Sequence, residues 1–213
     1  MNNPQILLND ILRIRKDFAA ENIKLPPGLV GIYGEIITFQ MLRKIFSKKD
    51  FFVNYYSGQK GADIQLIRGR DKINIEVKTS RLKEEDPGLV YGFAINVKKC
   101  KDHPTITHTH FKKGKIKGDF CYFDYLIAVT LSDNLTSPKF YIFPNGFLKD
   151  NEQFLRNKSK RFSSGSHRII FIEKLKSSKE ITGLDRRLTK NRKKYKNAWH
   201  LIKPNFVNKK SGK

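Results

Sequence analysis

One twenty-residue stretch constrains this chain more than any other: GADIQLIRGRDKINIEVKTS, residues 61–80. Two β-rich runs, Asp63–Arg68 and Ile73–Thr79, flank the turn-like Arg68-Gly69-Arg70-Asp71. A two-residue loop of Gly-X type at Gly69-Arg70 makes a tight hairpin. Counting back equally from that loop sets Asp63 opposite Glu76, and cross-strand partners share one face with Cβ atoms about 4.5–5.5 Å apart. A loop at Arg70-Asp71 sets Asp63 opposite Lys78 instead, still on that face. The period of two sorts the second strand. Ile73, Ile75 and Val77 point to a core, while Asn74, Glu76 and Lys78 point together to the other side.

Two acids and a lysine therefore converge beside an apolar strand. Carboxylates at that separation repel and call for a cation between them. Hard oxygen ligands suit Mg²⁺, with Mn²⁺ as a substitute; Mg²⁺ is held through one or two carboxylates plus substrate phosphate. Lys78 would orient an attacking water or stabilise charge on a phosphate.

The surroundings suit one folded domain with an appendage. The 213 residues suffice for a sizeable core, and 38% of them are hydrophobic. Residues 5–20 carry one apolar stripe with helical spacing, from Ile6 to Phe18. Pro26-Pro27-Gly28 ends that segment, and a helix over 28–47 is apolar round much of its circumference, which predicts burial. Glu35 sits in its middle. Further strands are expected at Phe51–Tyr56, Val90–Val97, Tyr122–Leu131, Lys139–Phe143 and Arg168–Ile172. Asn151–Arg161 has helical composition, and residues 98–120 read as a long basic loop or small ribbon.

The formal net charge is +23, which points to a polyanionic partner, nucleic acid first and an anionic membrane second. The charge is uneven. Residues 156–213 hold 19 Lys/Arg against 3 Asp/Glu, a net of +16, leaving +7 for residues 1–155. The C-terminal end reads as an electrostatic arm. Within it 186–202 has helix-forming composition, and the last ten residues are expected to be disordered. Cys100 and Cys121 are too few for a disulfide framework. No secretory leader or membrane-length apolar run is present, so a cytoplasmic protein is expected.

Asp63, twelve intervening residues and then Glu76-Val77-Lys78 resemble the active-site motif of the PD-(D/E)xK nuclease superfamily. Ala62 stands where the motif has proline, which leaves the carboxylate intact. Gly34-Glu35 resembles the acidic helix position that often precedes the motif, and YFDYLIAVTL and KFYIFP resemble later sheet strands of restriction enzymes. The resemblance implies an α/β, restriction-endonuclease-like mixed β-sheet flanked by helices, and metal-dependent phosphodiester hydrolysis. It implies Asp63, Glu76, Lys78 and Glu35 as catalytic residues. It implies Asp63, Glu76, Glu35 and the backbone carbonyl of Val77 as metal ligands.

Several weaker features attach to that reading. Thr79, Ser80, Arg81 and Lys83 follow the motif strand and are expected to touch DNA, as are Lys112, Lys113 and Lys115 in the basic loop and Arg186, Arg187, Arg192, Lys193 and Lys194 in the arm. Gln65, on the Asp63 face, suits a structural or a site role equally. Phe51, Phe52, Tyr55 and Tyr56 read as core and sheet residues rather than a base-stacking platform. His108 and His110, near Cys100 and Cys121, match no standard zinc spacing.

The expectation is a Mg²⁺-dependent type II restriction endonuclease that cuts double-stranded DNA as a homodimer. Residues 1–175 would form the nuclease domain with its N-terminal helices, and 176–213 the basic extension. A Holliday-junction resolvase or repair nuclease of the same fold is the alternative. A non-catalytic basic nucleic-acid-binding protein is the alternative of another class.

Overall fold

The structure, a computed structural model, describes residues 4–21, 25–47, 51–56, 62–81, 123–132, 135, 137–145 and 193–203, and the backbone of 90–96, 156–157 and 166–172. Two helices come first: α1 (Pro4–Ala20) and α2 (Pro27–Phe46). Pro27 opens α2 at a position where a missing N–H costs nothing, and Arg43 and Lys44 suit the negative end of the helix dipole in its last turn. α2 buries nine residues, among them Val30, Tyr33, Ile36, Phe39 and Leu42, as its all-round apolar sequence predicts. α1 packs on α2 through Leu8 and Ile11.

α2 lies on a mixed sheet of five strands: β1 (Phe52–Tyr55), β2 (Ile64–Arg68), β3 (Asp71–Arg81), β5 (Tyr125–Leu131) and β6 (Lys139–Pro144), in the order β1-β2-β3-β5-β6. β1, β2 and β3 form an antiparallel meander, β5 joins β3 in parallel, and β6 returns antiparallel to β5. All seven residues of β5 are buried, as a central strand covered on both faces requires. A second, three-stranded antiparallel sheet has the order β4-β8-β7, from β4 (Val90–Asn96), β7 (Arg156–Asn157) and β8 (Ser166–Ile172). Among the described residues no helix is long and apolar enough to cross a membrane.

The architecture is α/β, with the expected mixed sheet. Both described helices belong to one side of it, α2 directly and α1 behind α2. Two local expectations are corrected. Arg156 and Asn157, inside the segment read as helical, pair with Arg168 and His167 of β8, so a partner strand overrides local composition. The segment 186–202 is not one continuous helix. Lys196 bridges to Tyr141 of β6, and Trp199–Leu201 make a single 3₁₀ turn.

That C-terminal segment docks on the outer edge of the sheet. Tyr195 packs on Phe143 with ring centroids 5.0 Å apart, and Trp199 on Phe140 at 5.2 Å. Asn197 donates its N–H to the Phe140 carbonyl at 2.7 Å, and Lys203 donates its own to the Tyr125 hydroxyl at 3.1 Å. β6 would otherwise present an open row of backbone groups, and this segment covers part of it.

Candidate active site

The hairpin register is the one set by a loop at Gly69-Arg70. Arg68 faces Asp71, Leu66 faces Ile73 and Ile64 faces Ile75. Gly69 has φ +59°, and Arg70 is not among the positive-φ residues, which suits the turn with glycine first. Carried one step beyond Ile64, the same register sets Asp63 against Glu76. β2 itself begins at Ile64, and Asp63 lies just ahead of it, its carbonyl accepting the Tyr56 N–H at 2.9 Å.

The end of β2 creates the opening that the site uses. Odd residues of β3 turn their backbone groups toward β2, and even ones toward β5, as the bonds between Asn74 and Asp124 show. At Val77 no strand residue of β2 remains to pair. The Asp63 carboxylate takes that place, accepting the Val77 N–H at 2.7 Å. The Val77 carbonyl, directed to the same side, accepts from the Lys78 ammonium at 3.3 Å.

Glu76 is only 1% exposed, and Lys78 forms an ion pair with it while staying about a quarter exposed, at 27%. A buried carboxylate is costly without a partner, and the ammonium offsets that cost. One cation therefore already sits against the Glu76 carboxylate and the Val77 carbonyl. Among the described residues no three Asp, Glu, His or Cys side chains converge closely enough to hold a metal ion as placed. The donor chemistry nonetheless fits a hard divalent cation, because carboxylate and carbonyl oxygens around one cation are the ligands Mg²⁺ prefers.

Glu35 reaches the same point from the helix layer. Gly34 makes this reach available. A Cβ at Gly34 would stand 2.8 Å from Thr79 Cβ and Cγ2, and closer still to Oγ1, so only glycine lets α2 approach β3 this closely. The pKa of Glu35 is raised to about 7, first by burial and then by the negative charge of Asp63; a hydrogen bond from Tyr55 and the Lys78 charge oppose this, while Glu76 adds to it. Glu35 therefore feels the charges of Asp63, Lys78 and Glu76 from its place on α2. The Tyr55 hydroxyl donates to Glu35 Oε2 at 3.0 Å.

A polar ladder runs away from the site on the face of Glu76. Gln65 Nε2 donates to Asn74 Oδ1 at 2.7 Å, and the Tyr56 hydroxyl donates to Gln65 Oε1 at 3.4 Å. The Asn74 N–H donates to the Asp124 carboxylate at 2.7 Å, which ties β3 to the start of β5. Gln65 thus has a structural role as a cross-strand amide pair.

No protein-family model and no curated protein matches the sequence. The chain is similar in fold to a bacterial homing endonuclease, I-Ssp6803I, at 18% identity and TM-score 0.42 over 83% of this chain and 91% of that one. It is also similar to MepB, at 12% identity and TM-score 0.35 over 75% and 94%, and to Hjc, a Holliday junction resolvase from the archaeon Archaeoglobus fulgidus, at 14% identity and TM-score 0.28 over 62% and 81%.

The sequence-predicted residues divide into four groups. Asp63, Glu76, Lys78, Glu35 and the backbone of Val77 come together. Thr79 is turned toward the helix layer. It shares the Val77 side of β3, and its hydroxyl is buried beneath α2 at Gly34. The same period of two that sorted Glu76 from Val77 also sorts Thr79 inward. Ser80 and Arg81 remain partly exposed on β3, and Lys193 and Lys194 are exposed on the docked C-terminal segment. Lys83, Lys112, Lys113, Lys115, Arg186, Arg187 and Arg192 lie outside the described residues, as do Cys100, His108, His110 and Cys121.

Tyr55 is a sheet residue, as its sequence predicts, and its hydroxyl also reaches Glu35. The sequence holds one signal for this. Alternation from buried Phe51 and Val53 places Tyr55 on the helix-facing side of β1, above α2. Phe52, by the same alternation, is 65% exposed rather than in the core.

Proposed function

We propose that the protein is a Mg²⁺-dependent endonuclease that cuts double-stranded DNA. The observation that carries the reading is the convergence of Asp63, Glu76 and Lys78 where β2 stops short of β3, with Glu35 arriving from α2. Asp63, Glu76, Glu35 and the Val77 carbonyl would hold the ion. When bound, Mg²⁺ supplies positive charge to the phosphoryl oxygens and makes a nearby water more acidic.

The chain's own groups do the rest. Asp63 is fixed by the Val77 N–H, so its remaining carboxylate oxygen faces the site in one orientation. Lys78 combines a partly exposed ammonium with an anchored stem, and its ammonium turns to a non-bridging phosphate oxygen or to the attacking water. The buried floor of Glu76, Leu126 and Phe143 keeps bulk water from one side. The net charge of +23 favours approach of a polyanion.

Within this class we favour a type II restriction endonuclease acting as a homodimer, with Mn²⁺ able to replace Mg²⁺, because cutting both strands takes two sites. Purified protein incubated with unmethylated plasmid and Mg²⁺ tests the reading. Discrete fragments mark restriction, a smear marks nonspecific cleavage, and activity confined to branched DNA marks a resolvase. EDTA should abolish every one of these activities, and Ca²⁺, larger and looser in geometry, should support little or no cleavage. Full activity in EDTA would sink the metal reading.

A further inference from the structure

The proposed metal ligands differ in how they are held. Asp63 is tied by a backbone N–H and Glu76 by the Lys78 ammonium. Glu35 sits in the middle of a helix and must reach beyond the end of β2. Its carboxylate accepts a hydrogen bond from across the meander: the Tyr55 hydroxyl on β1 donates to Oε2 at 3.0 Å. A glutamate has three side-chain torsions, and fixing its carboxylate without such a bond costs conformational entropy each time a ligand binds.

Tyr55 is itself well placed to act as a rigid arm. Its backbone is locked opposite Ile64 in the β1–β2 register, one residue from Asp63. Its ring packs on Phe39 of α2 with centroids 5.7 Å apart. Phe39 lies one helical turn beyond Glu35, so the same helix that supplies the carboxylate also supplies the wall for the ring. The hydroxyl end is thereby delivered to Glu35 by two independent constraints, one from the sheet and one from the helix.

We infer that Tyr55 is a positioning residue that holds Glu35 in place as a metal ligand, so that β1 sets the metal affinity of a site whose motif residues lie on β2 and β3. The inference rests on the metal reading above. Hydrogen bonds from neighbouring side chains orient ligating carboxylates, and their loss typically weakens metal binding about 10–100-fold. Tyr55 touches neither phosphate nor water in this role. Its removal should therefore change how much metal is needed and not how fast the fully loaded protein cuts.

The test uses full-length protein and Mn²⁺ alone, with free Mn²⁺ followed by electron paramagnetic resonance in the absence of DNA. Tyr55→Phe keeps the ring against Phe39 and removes only the hydroxyl. It should weaken Mn²⁺ binding about 10-fold. The metal concentration for half-maximal cleavage should rise in parallel, with the rate at saturating metal unchanged. The double variant Glu35→Ala/Tyr55→Phe should bind Mn²⁺ no more weakly than Glu35→Ala, because the hydroxyl acts only through that carboxylate.

Two results overturn the inference while sparing the metal reading. One is Tyr55→Phe binding Mn²⁺ like the wild type while Glu35→Ala binds it weakly. The other is unchanged Mn²⁺ affinity with a reduced rate at saturating metal. If Glu35→Ala and Glu76→Ala both bind Mn²⁺ like the wild type, the metal reading falls, and the role of Tyr55 falls with it. Phe39→Leu removes the ring contact and keeps the hydroxyl. It loosens one of the two constraints on the hydroxyl, so it should weaken Mn²⁺ binding less than Tyr55→Phe does; a larger loss than in Tyr55→Phe would assign the effect to packing and overturn the inference.

Discussion

In the β2–β3 hairpin, charged side chains are turned toward one buried point, with Glu76 at 1% exposure and Asp63 bonded to backbone. In residues 193–203 the arrangement is inverted. Lys193, Lys194 and Lys196 stay exposed, while Tyr195, Ala198 and Ile202 are buried on the sheet edge. Both segments are rich in ionic side chains. The first concentrates charge where desolvation makes every interaction stronger, which suits chemistry. The second spreads charge over a solvated surface, where salt screens it and its reach is long-range attraction. Charge density is therefore common to both segments, and burial of that charge is what sets the hairpin apart.

The strongest attempt to break this contrast is to remove the buried charges. Glu76→Ala and Lys78→Ala should each lower cleavage by about 10³-fold, in line with the loss of one preorganised charge-stabilising group. Both should leave duplex affinity largely intact in a binding assay run in Ca²⁺. A variant with near-normal turnover would take that residue out of the mechanism.

The solvated charges should behave oppositely. Neutralising Arg186, Arg187, Arg192, Lys193 and Lys194 together should weaken specific and random DNA binding alike. It should flatten the dependence of log K on log[salt] by up to about 4 units, at about 0.9 per phosphate contact. A recognition helix over 186–202 predicts a larger loss on the cognate site than on random DNA. The bridge at Lys196 and the short 3₁₀ turn after it weigh against that helix. An unchanged salt slope would show that these residues do not meet DNA.

A smaller effect probes the buried side of the same segment. Trp199→Ala removes a half-buried ring packed at a tilt against Phe140, and unfolding measurements should show a loss of about 2–3 kcal/mol, below the range for fully buried tryptophans. A loss near zero would mean that the segment only rests on β6.

The smallest effect concerns Glu35, whose carboxyl ionises near pH 7 in the fold instead of near 4.5. A raised carboxyl pKa means that ionisation destabilises the metal-free fold. The penalty is absent below about pH 4, grows between there and 7, and is complete above. Glu35→Gln should therefore stabilise metal-free protein at pH 8 by about 1–2 kcal/mol, after discount for the partly open site, and have no effect near pH 4. Equal stabilisation at both pH values would assign the effect to something other than charge.

The sequence by itself determined the β2–β3 hairpin and the face shared by Glu76 and Lys78, and it narrowed the turn to two loops, of which the structure takes Gly69-Arg70 and with it the Asp63–Glu76 register. The hairpin and the shared face follow from a two-residue loop and a period of two, which are local geometry. It also determined the burial of α2, because an all-round apolar helix has no other stable environment. Only the tertiary structure decided that β2 ends at Ile64, opening Val77 to the Asp63 carboxylate. It decided too that Gly34 brings α2 down onto Thr79, and that Tyr55 reaches Glu35 across 20 positions of sequence. The docking of 193–203 on β6 belongs to the same class. Its apolar residues, Tyr195, Ala198, Trp199 and Ile202, are spaced among lysines so that composition reports only the charge. Which of them find partners depends on an edge strand more than fifty residues earlier, and no local pattern encodes that meeting.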